Sequence, residues 1–161
     1  MVKVLVKRLN SKVKLPEYKT SGSSGLDLMA FINSPIKISP NTLELIPTGL
    51  SIAIPEDLEI QIRPRSGLAA KSNIGVLNAP GTIDSDYRGE LKIILFNHGN
   101  KDFIVNNNDR VAQMVLTPVI KMELEEVDLL PKTIRGSGGF GSTGKWKIFL
   151  IKNLLRDILD K

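Results

Sequence analysis

Apolar and polar residues alternate along much of this chain with a period of two. Leu58, Ile60 and Ile62 alternate with Glu59, Gln61 and Arg63, and Leu43 and Leu45 flank Glu44, the repeat of strands with one buried face. Three further runs, VKVLVK at Val2–Lys7, ELKIILF at Glu90–Phe96 and VAQMVLTPV at Val111–Val119, are rich in β-branched residues. Turn clusters separate these runs at short intervals: SGSSG, NSP, SPN, PTG, NHGN and NNND. Many short strands with such punctuation predict an all-β sandwich, barrel or jelly roll. No internal repeat and no interior linker divides the chain.

Two segments break the strand pattern. After Ser66, GLAAKS predicts one helical turn with Ser66 near its N-cap. The glycine-dense stretch RGSGGFGSTG, Arg135 to Gly144, has no regular structure of its own to form without a partner. Beyond it, WKIFLIKNLLRDILDK places Ile148, Ile151, Leu155 and Ile158 at helical spacing and predicts a C-terminal amphipathic helix. The expected organisation is a β-rich body over 1–134, a glycine-rich arm over 135–145 and an extension over 146–161.

At 161 residues the chain is long enough to bury roughly 70% of the surface its unfolded form exposes. It has no Cys and one His, which removes disulfides, thiolate metal sites and the His/Cys zinc centre of the nucleobase deaminases. Any metal here is a hard ion held by oxygens. The net charge of +5 comes from the ends: residues 1–19 carry +5 and residues 145–161 carry +3, which leaves the middle at −3. Basic residues are not interleaved with stacking aromatics, so no nucleic-acid partner is expected. The N-terminus lacks the apolar core and cleavage site of a signal peptide, and no run approaches the ~20 apolar residues of a membrane span. The expectation is a soluble cytoplasmic protein with no stable membrane insertion.

Glycine loops and helix starts expose unpaired backbone N–H groups to anions. Two stretches qualify: PRSGLAAK, where Ser66 Oγ and the following amides could hold one phosphate with Arg65 close by, and RGSGGFGSTG, where Arg135, Ser142, Thr143 and glycine amides could wrap a polyphosphate and Phe140 could cover a flat ring. Between them, GTIDSDYRGE sets Asp84 and Asp86 one residue apart, a spacing that by itself reads equally as a turn. His98 in FNHGN is expected to be a surface turn residue. The acid run Glu123, Glu125, Glu126 and Asp128 is expected to be a solvated strand edge or turn, because its spacing is not that of a calcium loop.

Five segments taken in order resemble the five motifs of the trimeric dUTP pyrophosphatases, the dUTPases. They are SGSSGLDLMA at Ser21–Ala30, RPRSGLAAK at Arg63–Lys71, GVLNAPGTIDSDYRGELKI at Gly75–Ile93, RVAQMVLTPV at Arg110–Val119 and RGSGGFGSTG at Arg135–Gly144. The resemblance implies a distorted jelly-roll or β-barrel homotrimer whose exchanged glycine-rich arm closes over a neighbour's site. It implies hydrolysis of dUTP to dUMP and pyrophosphate with Mg2+. Asp84 matches the carboxylate that activates the water attacking the α-phosphate and also meets the deoxyribose 3′-OH. Tyr87 matches the tyrosine that leaves no room for a 2′-OH, and Asn78 the residue that reads uracil. Ser66 and Gln113 match donors to the α- and β-phosphates, Arg135 the γ-phosphate contact and Phe140 the ring stacked on uracil. Arg65 matches a residue supporting the site near Asp84. Gly67, Gly81, Ile83, Gly141, Ser142 and Thr143 complete the implied substrate-binding set. Asp27 matches the acid that holds Mg2+ through water, and Asp86 a structural acid shaping the hairpin with Arg88.

Met29 stands where many members have Arg, and the tail after Gly144 is longer than is usual in the family. The tail is expected to dock on its own assembly or to be inert, with Trp146 limiting the arm. Two rivals are a dCTP deaminase on the same fold and a non-catalytic β-trimer. The deaminases resembled would show Pro-Gly-Phe-x-Gly after Ile-Asp, where this chain has Ser85-Asp86-Tyr87. Loss of Asp84, Tyr87 or the arm would mark the second rival, and all are present.

Overall fold

The computed structural model describes residues 2–139, and the chain divides into two units, Met1–Lys121 and Met122–Lys161. The first unit holds ten strands and one short helix: β1 (Leu5–Arg8), β2 (Leu26–Met29), β3 (Ile36–Ile38), β4 (Leu43–Ala53), β5 (Leu58–Arg63), α1 (Ser66–Ser72), β6 (Ile74–Val76), β7 (Gly81–Ile83), β8 (Glu90–Asn97), β9 (Phe103–Val105) and β10 (Arg110–Pro118). One four-stranded sheet runs β1-β4-β8-β6, the other runs β2-β10-β5-β7, and β3 pairs with β9. Every pairing is antiparallel, so the expectation of an all-β fold holds.

The period-two pattern builds the core. From β4 come Ile46, Leu50 and Ile52; from β8 come Leu91, Ile93 and Leu95; the other sheet adds Leu28, Ile60, Ile62, Val111 and Met114. Each such aliphatic side chain contributes about 1.5–3 kcal/mol when taken fully out of water. The runs at Val2–Lys7, Glu90–Phe96 and Val111–Val119 all fall on strands, although β1 starts later than its run, at Leu5.

Leu43 and Leu45 depart from the expectation of a buried face: each is 48% exposed. The buried face of β4 begins at Ile46, and Leu43 and Leu45 point the other way, where the register sets Leu43 beside Phe96 and Leu45 beside Ile94. The outward face of this sheet is therefore apolar as well. A sequence with apolar residues on both faces of a strand does not say which face is the core.

Asn97 closes the β8 end. Fully buried, it donates from Nδ2 to the carbonyls of Ile38 (2.9 Å) and Lys101 (2.8 Å) and accepts the Gly99 N–H at 2.8 Å. The neighbouring His98 is exposed, as expected, with its ring 4.4 Å from that of Phe96. The predicted helical turn after Ser66 is a two-turn helix. Its N-cap is Arg65 rather than Ser66, with no side-chain capping bond.

In the second unit the described residues, Met122 to Gly139, carry no strand or helix. A turn forms at Thr133–Gly136, where the Gly136 N–H donates to Thr133 Oγ1 at 3.0 Å and Gly136 takes φ +51. Phe140, Gly141, Ser142 and Thr143, and the predicted helix with Trp146, Ile148, Ile151, Leu155 and Ile158, lie outside the described residues.

The irregular point of β4 is Gly49, at φ +67, inside the register shift between Pro47 and Ser51. A Cβ there would lie 2.5 Å from Val13 Cγ2 and 3.0 Å from Phe31 Cδ1. Gly49→Ala combines a left-handed backbone penalty with overpacking, so it is expected to lower stability by about 2–4 kcal/mol in urea unfolding.

Candidate active site

The second sheet gathers the first group of functional residues. On β10, Gln113 pairs with Asp27 of β2 on one side and with Arg63 of β5 on the other. Where β5 ends, Pro64 and Arg65 lead straight into α1, which puts Ser66 and Gly67 at its start. Asp27 ties this corner together. Its Oδ1 accepts from Arg65 Nε at 2.9 Å, its Oδ2 from Arg110 Nη1 at 3.0 Å, and its side chain is only 16% exposed. Arg65 Nη1 also donates to the Arg110 carbonyl at 3.1 Å. Gln113 Nε2 donates to the Pro64 carbonyl at 3.0 Å. Gly25 makes room for this amide, since a Cβ there would stand 2.8 Å from Gln113 Oε1.

The second group sits on β7 and its flanks, on the connection that leaves one sheet for β8 of the other. β7 pairs with β5 through Gly81–Ile62, Thr82–Gln61 and Ile83–Ile60. Ahead of it, Asn78 folds against Gly81, whose Cβ would lie 3.0 Å from the Asn78 amide nitrogen. After it, the Tyr87 N–H donates to the Asp84 carbonyl at 3.2 Å and closes a tight turn. Ile83, Asp84 and Tyr87 line a groove of about 380 Å³ together with Leu45, Thr82, Glu90, Lys92 and Ile94. Asp84 is exposed, and its carboxylate enters no ion pair among the described residues. It is an acceptor open to solvent within reach of the groove.

Register keeps the two groups apart in one chain. Asp84 follows Ile83, the partner of Ile60, and so stands toward Glu59, whereas Ser66 lies beyond the other end of β5, past Arg63. The stretch of β5 from Glu59 to Arg63 alone spans roughly 13 Å at about 3.3 Å per residue. The expected site residues thus fall into two groups, one with Asp27, Arg65, Ser66, Gly67 and Gln113 and the other with Asn78, Gly81, Ile83, Asp84 and Tyr87. Arg135, in the second unit, turns its Nε to the Gly138 carbonyl at 2.7 Å.

One expectation changes. Arg88 shapes the connection between β7 and β8 without Asp86: its Nη1 donates to the carbonyls of Ser85 (2.6 Å) and Tyr87 (2.8 Å). Within one chain Arg65 engages Asp27 and the Arg110 carbonyl, at the end of β5 away from Asp84. Asp27 has both oxygens occupied by guanidinium groups, and no cluster of three metal-ligating side chains exists among the described residues. These donors do not fit a directly ligated ion. They fit a hydrated one, since each carboxylate oxygen retains a second acceptor position for a coordinated water. Arg110 and Gly25 escaped the sequence reading of the site. Both lie in motifs quoted above, and only the strand register reveals what they touch.

A family model described as dUTPase matches residues 11–144. The chain is 53% identical over 145 residues to the deoxyuridine 5′-triphosphate nucleotidohydrolase of Rickettsia bellii (strain OSU 85-389), covering 89% of this chain and 97% of that one. It is 55% identical over 137 residues to the protein of the same name from Treponema denticola, covering 85% and 95%. Among solved structures, the fold is similar to a mutant Staphylococcus bacteriophage 80alpha dUTPase with dUpNHpp, at a TM-score of 0.80 and 23% identity, covering 89% and 99%. It is also similar to a mutant dUTPase from phage phi11 of S. aureus, described as revealing the coordination of a structural Mg(II) ion. That match has a TM-score of 0.73 and 21% identity, covering 81% and 99%.

The two aspartates are separable by stability. Asp27→Ala strands two guanidinium groups in a partly buried corner and is expected to cost about 2–3 kcal/mol in urea unfolding. Asp84→Ala removes an exposed, unpaired acid and should stay within about 0.5 kcal/mol of wild type.

Proposed function

The chain belongs to the dUTPase family, and on that footing we propose that it hydrolyses dUTP to dUMP and pyrophosphate at sites shared between its copies. The reaction limits uracil in DNA and supplies dUMP for thymidylate synthesis, and with it goes a cytoplasmic location, where the nucleotide pool is. The observation that carries the reading is the pairing of an open carboxylate, Asp84, with a neighbouring aromatic, Tyr87, in one groove. That combination suits a water-activating base set against a sugar.

In this mechanism Asp84 accepts a proton from the water whose oxygen bonds to the α-phosphorus, and the bond from that phosphorus to the bridging oxygen of pyrophosphate breaks. Ser66 and Gln113 donate to α- and β-phosphate oxygens, and Gly67 leaves the start of α1 open to them. Tyr87 packs on the deoxyribose and excludes a 2′-OH. Asn78 reads the uracil edge from its seat on Gly81, with Ile83 lining the same groove. Arg135 meets the γ-phosphate, and Phe140, Gly141, Ser142 and Thr143 cover the base and phosphates. Asp27 would hold Mg2+ through coordinated water, and the ion would supply charge neutralisation for the triphosphate.

The separation of the two groups supports a homotrimer in which Asp84 of one copy faces Ser66 and Gln113 of the next. Two apolar features support the same assembly. The outward residues Leu43, Leu45 and Leu77 are each about half exposed. Beyond β10, Ile120, Met122 and Leu124 alternate with charged residues yet are 94%, 84% and 86% exposed, a strand pattern lacking a partner among the described residues. A deaminase reading has no observation in its favour. The relatives reported above are named nucleotidohydrolases, and Tyr87 stands in the β7–β8 connection where the deaminase pattern would differ.

Supplied with Mg2+ and dUTP, UTP, dTTP or dCTP separately, the protein is expected to yield dUMP and pyrophosphate from dUTP alone. Release of ammonia from dCTP would refute the reading. Asp84→Asn is expected to lose about 10²–10⁴-fold in kcat with dUTP binding retained, and near-normal turnover would remove Asp84 from the role. Mixing tests the shared site. Asp84→Asn and Gln113→Ala protomers, each impaired alone, are expected to recover about a quarter of wild-type activity when co-refolded at equal amounts, since each site then has that chance of two intact halves.

A further inference from the structure

Tyr87 is 43% exposed on a turn, yet its ring is not free. Its hydroxyl donates to the Glu90 carbonyl at 3.0 Å. The ring passes over Gly89 so closely that a Cβ there would overlap the hydroxyl and lie 2.5 Å from Cζ and 3.0 Å from Cε2. Gly89 is not among the residues with positive φ, so a left-handed backbone does not require glycine there. What the missing side chain provides is space for the phenol.

The backbone on both sides of Gly89 is anchored to β4. Ser51 Oγ donates to the Arg88 carbonyl at 2.6 Å. Glu90 Oε1 accepts the Gly49 N–H at 2.8 Å. That N–H is available because the register between β4 and β8 shifts between Pro47 and Ser51 and Gly49 takes its left-handed turn within the shift. A core irregularity is thus connected to an exposed ring in three steps: Gly49 to the Glu90 side chain, the Glu90 carbonyl to the Tyr87 hydroxyl, and the Tyr87 ring to the Gly89 backbone.

We propose that Gly89 is a specificity-determining residue for the sugar, and that Glu90 is a positioning residue that holds Tyr87 where it meets a 2′-OH. The proposal rests on the reading of Tyr87 as the residue that excludes ribonucleotides. A Cβ at position 89 meets the far end of a side chain that is half in solvent. The phenol yields first, its bond to the Glu90 carbonyl breaks, and the wall against the 2′-OH goes with it. Loss of the Glu90 carboxylate acts from the other end by freeing the strand that carries the accepting carbonyl.

The test is the ratio of kcat/KM for UTP to that for dUTP in wild type, Gly89→Ala, Tyr87→Ala and the double variant, with thermal unfolding followed in parallel. The ratio is expected to rise about tenfold or more in Gly89→Ala, the scale on which a pocket discriminates one small group. It should rise in Tyr87→Ala too, and the double variant should show no increase beyond Tyr87→Ala. If Tyr87→Ala relaxes the ratio while Gly89→Ala keeps the wild-type value, the proposal is overturned and the reading of Tyr87 stands. If Tyr87→Ala leaves the ratio unchanged, the reading of Tyr87 falls and the proposal with it. A further rise of the double variant over Tyr87→Ala would show Gly89 acting by another route and would also overturn it. Should Gly89→Ala fail to fold, Glu90→Ala is expected to relax the ratio. Glu90→Gln, which keeps an acceptor for the Gly49 N–H, is expected to restore it, and a wild-type ratio in Glu90→Ala counts against the relay.

Discussion

The placement of β10 between β2 and β5 is the constraint on which the rest of this molecule depends. Antiparallel pairing on both edges puts Gln113 opposite Asp27 and opposite Arg63 at once, and a one-residue slip would turn Gln113 to the other face. Val111, Ala112 and Met114, all buried, make such a slip costly, because it would expose them to water. Apolar burial therefore fixes the register, and the register brings Arg65 and Arg110 to the two oxygens of Asp27. The polar corner is a consequence of the core rather than an independent feature.

Three acids of this fold differ because their surroundings differ. Asp27 is largely buried and saturated by guanidinium groups, which makes it an organiser of the corner that carries Ser66 and Gln113. Glu90 is tied to the irregular point of β4 and carries the carbonyl that holds Tyr87. Asp84 has neither constraint, and that openness is what a group receiving a proton from water needs. The same economy applies to two glycines: Gly25 and Gly89 leave room for the side chains of Gln113 and Tyr87, which their neighbours then hold by hydrogen bonds.

If the two groups of residues act together, as proposed, activity is conditional on assembly. The exposed apolar residues on the outer face of β4 and beyond β10 would then serve two purposes, since burying them between copies would also bring the two groups together. An acid on an exposed turn, as Asp84 is, costs the isolated chain little, because no unpaired charge is buried.

Much was legible in the sequence. Period-two alternation located β5, runs rich in β-branched residues located β8 and β10, the turn residues separated them, and five ordered motifs identified the family. These features are local, or depend on residue type at fixed spacing, and a linear reading recovers them. Which face of β4 is the core was not legible, because Leu43 and Leu45 are as apolar as Ile46 and Leu50. Neither was the partner of Asp27, since Arg65 and Arg110 lie 38 and 83 residues away along the chain. The division of the motifs into two groups, and the seat of Tyr87 over Gly89, also emerged only in three dimensions. Contacts of that kind depend on strand register and on the space left by an absent Cβ, and both are set by how the whole core packs rather than by any stretch of residues alone.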